Sequence, residues 1–275
     1  MTLGLRHCVL NKVALARAVQ YRQGINRGEC GVTRLSVNLN AVAQLRNRRD
    51  LPWPSVLGIA GLVLDAGAQG ITVHPRPDER HIRRTDVFEL AAFLRQDHPG
   101  IEFNIEGYPS PDFLELVEAV RPAQVTLVPD DPAQSTSDHG WDIPANRALL
   151  TEVVARLKAL GMRVSLFIDP DPAVPALAQA VGADRVELYT ASYAQADLAG
   201  DTAGELARFA ATARAAQAAG LGLNAGHDLT LANLPAFQRA VPGIDEVSIG
   251  HAITADALIM GFPEAVRRYN AALNG

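Results

Sequence analysis

The sequence predicts an α/β chain, a (β/α)8 TIM barrel with extra helices. Three observations predict it. Short apolar or β-branched runs recur eight times from Thr33 onward, helical patterns fill the gaps between them, and most of those helices stop at a glycine just ahead of the next strand: Gly67, Gly161, Gly182 and Gly220. The rival is a doubly wound open sheet, but no GxGxxG follows the first strand and eight units suit closure.

Taken in order, the strands are Leu35–Asn38, Ile71–His74, Glu102–Glu106, Val125–Pro129, Val164–Asp169, Val186–Thr190, Leu223–His227 and Val247–His251. Their ends fall about 20–40 residues apart, room for a helix and two loops. Ser55–Ala66 has apolar residues at helical spacing. Ser110 followed by Pro111 and Asp112 is an N-cap, a proline at the first helical position and an acid in the first turn. Asn146–Leu160, Ala173–Val181, Ala203–Ala219 and Ala255–Ala272 read as further helices. Residues 1–32 differ in pattern and read as an N-terminal extension, with a short helix at Val13–Tyr21; an upstream choice of start codon would also explain it. Residues 33–275 then form a single catalytic barrel domain.

The chain has 275 residues, 48% of them hydrophobic, and a net charge of −5. Nothing in that balance points to nucleic acid. No apolar run is long enough to span a bilayer, no secretory leader is evident, and the two cysteines, Cys8 and Cys30, form no CxxC pair. A cytoplasmic, reducing location is expected.

In a barrel of this kind, function gathers at the C-terminal ends of the strands. Those ends carry Asn38 with Asn40 just beyond, His74, Glu106, Pro129, Asp169, His227 and His251, with Glu187 inside strand six. Three of the seven histidines end strands. Any one such group is unremarkable; a ring of histidines and glutamates on separate strands is not. Glu106 follows Phe103-Asn-Ile, so burial should raise its pKa, unless an arginine pairs with it structurally. Asp169 reads as a helix cap, and His7, His98 and His139 as inert. The Gly226-His227 and Gly250-His251 pairs sit where barrels commonly hold phosphate, after strands seven and eight. Arg46, Arg48, Arg49 and Arg76 are candidates for a second anion clamp, or simply solvated loop residues.

Several chemistries are disfavoured. An enzyme-bound Schiff base needs a lysine at a strand end, and the only lysines are Lys12 and Lys158, in the extension and on a helix. His74, Glu106 and His227 could in principle bind a metal, but there is no HExxH and no His-x-His on strand one, so no metal ligands and no cofactor are assigned. What remains is acid–base chemistry on a phosphorylated small molecule, with a metal-free barrel lyase or isomerase, or a phosphometabolite-binding barrel without activity, as alternatives.

The stretches Leu35–Arg49, Gly70–Ile82, Phe103–Glu106, Val125–Pro129, Val164–Ile168, Val186–Thr190, Leu223–His227 and Ser248–Ala252 resemble the PdxJ family, the pyridoxine 5′-phosphate synthases of vitamin B6 biosynthesis. The resemblance covers nearly everything from Thr33 on. It implies a cytoplasmic homo-octameric transferase that needs no cofactor. It would condense 1-deoxy-D-xylulose 5-phosphate with 3-amino-2-oxopropyl phosphate, giving pyridoxine 5′-phosphate, phosphate and water. By position, His74 and Glu106 correspond to proton acceptors, His227 to the proton donor and Glu187 to a transition-state stabiliser. Asn38, Arg49, the backbone of Asp228, Gly250 and His251 would hold the amino-ketone phosphate. Asn40, Arg76, His81 and Thr136 would hold the deoxyxylulose phosphate. The chain departs from the family pattern at Asn40-Ala41, where Asp-His is usual, and at Asp228, where glycine is common. A carboxylate beside a phosphate is repulsive, so the Asp228 side chain is expected to turn away and cap the next helix.

Overall fold

A computed structural model describes residues 32–130 and 137–275. The extension and Thr136 therefore lie outside the described residues. Eight parallel strands close into a barrel in sequence order: β1 (Arg34–Asn38), β2 (Gly70–Val73), β3 (Glu102–Gly107), β4 (Gln124–Leu127), β5 (Arg163–Ile168), β6 (Arg185–Leu188), β7 (Gly222–Gly226) and β8 (Glu246–Ile249). Closure is made by β1 on β8, with Ser36 opposite Ser248.

The strands alternate between polar and apolar residues, with the polar ones facing the lumen; Phe167 on β5 is an apolar exception that lines the mouth cavity. Ser36, Thr72, Asn104 and Thr126 form a hydrogen-bonded girdle across four strands: Ser36 Oγ to Thr72 Oγ1 at 2.7 Å, Asn104 Nδ2 to Thr72 Oγ1 at 3.4 Å, and Thr126 Oγ1 to Asn104 Oδ1 at 3.1 Å. Nearer the N-terminal end, buried Glu102 accepts from Arg34 and Arg163, and Arg185 donates to Asn224 Oδ1 at 2.9 Å. Charges enclosed in this way are tolerated because they are paired and hydrogen-bonded. The intervening residues, among them Leu35, Val37, Ile71, Val73, Val125, Val186 and Val247, are wholly buried against the surrounding helices. The hydrophobic core is thus a shell outside the barrel wall.

That shell is completed by α1 (Asn40–Arg46), α2 (Val56–Asp65), α3 (Arg84–Asp97), α4 (Pro111–Val120), α5 (Arg147–Ala159), α6 (Val174–Ala180), α7 (Ala191–Ala199), α8 (Ala203–Ala218), α9 (Leu234–Ala240), α10 (His251–Met260) and α11 (Phe262–Asn274). Ser110 caps α4 as expected, accepting from Phe113 N at 3.3 Å, and Ser55 caps α2 in the same way, accepting from Gly58 N at 3.0 Å. Gly161 and Gly220, which close α5 and α8, have φ of 84° and 75°, a left-handed backbone that favours glycine. Among the described residues no helix is long and apolar enough to cross a membrane.

Three differences from the sequence reading have simple causes. In six of the strands pairing stops one or two residues before the expected end, because His74, Pro129, Asp169, Thr190, His227 and His251 already belong to loops or helices. The single helix expected over Ala255–Ala272 is two, broken where Gly261 takes φ 79° and Pro263 opens α11. Asp169 caps no helix: α6 starts after Ala173 with no side-chain cap, and Asp171 Oδ1 accepts from Ala173 N at 2.9 Å in the turn before it.

Candidate active site

Everything that ends a strand in this barrel ends it on one side. Asn38, Asn40, His74, Arg76, His81, Glu106, Glu187, His227, Asp228, Gly250 and His251 all line one cavity of about 430 Å³ at the C-terminal mouth. The two asparagines begin the construction. Asn38 Oδ1 accepts from Asn40 N at 2.9 Å, and Asn40 Oδ1 accepts from His74 N at 2.9 Å. Asn38 Nδ2 reaches Glu106 Oε2 at 3.4 Å. Both residues therefore fix the backbone or carboxyl of a neighbour as well as facing the cavity.

His74 leaves β2 with its Nδ1 4.0 Å from Glu106 Oε2 and its Nε2 3.8 Å from Asp130 Oδ2. Burial drives its pKa well below the ordinary imidazole range, reinforced by His81, Arg76, His227 and Arg80. That shift favours the neutral ring, the form that can accept a proton. Glu106 goes the other way: burial, then the neighbouring Glu187, Asp130 and Glu246, push it well above the usual carboxylate range. The ion pairs among the described residues give Glu106 no arginine, so the structural pairing weighed above does not account for it. Glu187, on β6 and 3.4 Å from Thr126 Oγ1, is pushed by burial up to about 7 against the opposing pull of His227 and the Thr126 hydrogen bond.

His227 follows β7 with φ 48°, a backbone conformation unusual for a residue with a side chain. Its N–H donates to Ser248 O at 3.1 Å and its Nδ1 lies 2.8 Å from Asp228 Oδ2. Burial alone would depress His227, but the Asp228 hydrogen bond and charge, followed by Glu187 and Asp130, more than offset it and the pKa rises. The expectation that Asp228 caps the next helix is corrected here: its carboxylate serves His227. Thr230 and Asn233 shape the turn instead, each side chain accepting from the other's backbone, at 2.8 and 3.3 Å. The Asp228 N–H is held by Thr190 Oγ1 at 3.2 Å.

Gly226 is required by packing, since a Cβ there would come 2.1 Å from the Ser248 carbonyl oxygen. Gly250 serves as the N-cap of α10 and lies against Asn38. The start of that helix therefore opens on the cavity.

The arginine run separates into different roles. Arg46 is buried in a bidentate pair with Asp86, at 2.5 and 2.9 Å, and also donates to His81 O at 3.2 Å. It is a structural pin for the His81 loop. Arg48 and Arg49 are exposed and are not among the residues that line the cavity. Arg76 is buried and donates to Asp130 Oδ2 at 2.9 Å. His81 Nδ1 accepts from Ile82 N at 2.9 Å, and burial, with Arg76 and Arg80, takes its pKa down to about 4. Sequence reasoning missed Asp130, Thr190, Ser137 and Ser248. Asp130 stands one residue past the proline taken as the end of strand four, a place beside the mouth that by itself does not distinguish it from a solvated loop residue. Among the described residues no group of three or more His, Cys, Asp or Glu side chains is arranged to hold a metal ion.

A closed parallel barrel that gathers titratable side chains from several strands in one cavity at its C-terminal mouth has the architecture of a (β/α)8 enzyme. Residues 35–275 match the family described as pyridoxal phosphate biosynthesis protein PdxJ. The chain belongs to that family. It is 60% identical over 242 residues to a pyridoxine 5′-phosphate synthase of Allorhizobium ampelinum, covering 87% of this chain and 97% of that one. It is 59% identical over 243 residues to the enzyme of the same name from Brucella abortus, covering 88% and 99%. Among solved structures, tryptophan synthase from M. tuberculosis superposes with a TM-score of 0.59 at 13% identity, over 88% of this chain and 93% of that one; this likeness is one of fold alone.

Proposed function

We propose that this chain is a pyridoxine 5′-phosphate synthase that condenses 1-deoxy-D-xylulose 5-phosphate with 3-amino-2-oxopropyl phosphate, yielding pyridoxine 5′-phosphate, phosphate and water without a metal. The observation that carries the proposal is the opposed tuning of His74 and Glu106, 4.0 Å apart, with His227 shifted the other way across the same cavity. Joining an amine to a ketone and closing a ring takes several proton transfers in succession. A neutral imidazole and a strongly basic carboxylate are suited to accept protons, and a raised imidazolium to donate one. Each such transfer contributes on the order of 10²–10⁴-fold. Glu187 would stabilise positive charge developing beside it.

In this reading the imine forms between the two substrates, so no enzyme lysine is needed. Gly250, His251 and the N-terminus of α10 would hold the amino-ketone phosphate, with Asn38 and the Asp228 backbone, whose N–H must leave Thr190 to do so. Arg76, His81, Asn40 and Thr136 would hold the deoxyxylulose phosphate. Arg49 joins the first group only if its segment reaches the mouth; a raised KM for the amino-ketone in Arg49→Ala is the sign of that. The same reading carries a cytoplasmic homo-octamer, which light scattering of the native protein would check.

The test is direct. Chelator-treated protein is supplied with both substrates, and pyridoxine 5′-phosphate and phosphate are followed together. Stoichiometric release of both is expected. No product would sink the proposal, and activity abolished by the chelator would restore a metal.

A further inference from the structure

We propose that Asp130 is a positioning residue of this reaction: it holds His74 in the tautomer whose Nδ1 is the accepting nitrogen, while the same carboxylate fixes Arg76 against the cavity wall. The inference rests on reading His74 as a proton acceptor.

Asp130 lies just past β4 and is buried. A single oxygen, Oδ2, collects its neighbours: Arg76 Nη1 at 2.9 Å, Ser137 Oγ at 2.9 Å and His74 Nε2 at 3.8 Å. On the opposite side of the ring, Glu106 Oε2 stands 4.0 Å from Nδ1. The imidazole is therefore set between two carboxyl groups, and a neutral imidazole has one proton to direct at one of them.

The two carboxyl groups are not equivalent. Burial raises the Asp130 pKa, but Asp130 also carries a buried guanidinium and a Ser137 hydrogen bond, both of which favour its carboxylate. Glu106 is approached by Asn38 Nδ2 at 3.4 Å, a neutral donor, and sits among carboxylates that favour its protonated form. The ring proton is drawn to Nε2, toward the anion, and the Nδ1 lone pair is left facing Glu106. Asn40 already fixes the His74 backbone, so the side-chain torsions are the freedom that Asp130 limits. Both ring contacts are longer than hydrogen bonds; contacts of this kind tighten when substrate is bound.

The groups that face His74 are Glu106, Asp130, His81, Arg76, Arg80 and His227. Those that face Asp130 are Arg76, His139, Asp138, His74, Glu106 and His227. All but the substituted one persist in the variants below. His81 supplies an internal standard, because the Ile82 N–H on its Nδ1 makes it an Nε2–H tautomer.

The experiment is ¹⁵N NMR of the full chain labelled at the histidine rings, with the His74 signals assigned by their loss in His74→Gln. Wild-type His74 should show the Nε2–H pattern of His81. In Asp130→Asn the bias is gone: the tautomers mix, kcat falls on the order of 10²-fold, and the acid limb of kcat/KM moves to lower pH because an anion that favours the imidazolium has been removed. Asp130→Glu should restore the tautomer and the limb. An Nδ1–H tautomer in wild type overturns the proposal with no variant needed. So does a folded Asp130→Asn whose tautomer and acid limb are unchanged. If the wild type makes no product, the synthase reading fails by itself, and the ring nitrogens still report whether Asp130 sets the tautomer.

Discussion

His227 Nδ1 lies 2.8 Å from Asp228 Oδ2, so the residue next in sequence sets the charge of the imidazole at the end of β7. Because the His227 pKa is raised, its protonated form is present below that raised value and is lost as pH rises through it. If His227 donates a proton, the basic limb of the pH–rate profile reports it. Asp228→Asn removes the raising charge and leaves burial, so that limb should move to lower pH. A basic limb that stays in place in the variant would assign it to another group.

Glu106→Gln tests the base. The amide has nearly the shape of the protonated carboxyl and can still accept from Asn38, so substrate binding should survive. Turnover should fall by roughly 10²–10⁴-fold, the ordinary worth of one acid–base group. Substrate titration beside steady-state kinetics makes the check, and undiminished turnover would make Glu106 structural.

Glu187 should show itself in stability. Its pKa is raised by burial to about 7, so the folded state holds this proton more tightly than the unfolded chain does. Its contribution is full below the unfolded value and is lost as pH rises through about 7. Glu187→Gln should therefore lose less melting temperature than wild type between acid and mildly alkaline pH. The difference should be at most about 3 kcal/mol. Parallel losses in the two proteins would refute it.

The Arg46–Asp86 pair is buried on both sides. Arg46→Met strands the carboxylate and should destabilise by about 3–5 kcal/mol. Arg46→Met combined with Asp86→Asn should recover most of that. Urea unfolding of the three proteins measures it. An anion clamp would behave differently: KM would rise and stability would hold.

Much of the site could be read from the chain because a closed parallel barrel delivers every strand end to one place. His74, Glu106, Glu187 and His227 needed only correct strands to be brought together. Asp130 was hidden because its meaning depends on Arg76, 54 residues away, and on a loop path that no periodicity reports. The arginines were ambiguous for a related reason. Arg46 is the last residue of α1 and faces inward, while Arg49 lies past the end of the helix in the exposed turn. Composition treats them alike; helical phase does not. Alternation along the strands likewise announces two faces without saying which one meets the lumen.

That alternation has a consequence for how the chain can change. Within each strand, adjacent residues answer to different demands: Thr72 and Glu106 look into the lumen, while Val73 and Ile105 beside them look into the helical shell. A substitution at a lumen position such as Glu106 bears first on charge and proton affinity. A substitution one residue along alters packing and leaves the chemistry alone. Catalytic tuning and thermal robustness are thereby written on alternate letters of the same short words, and each can be revised while the other is left as it stands.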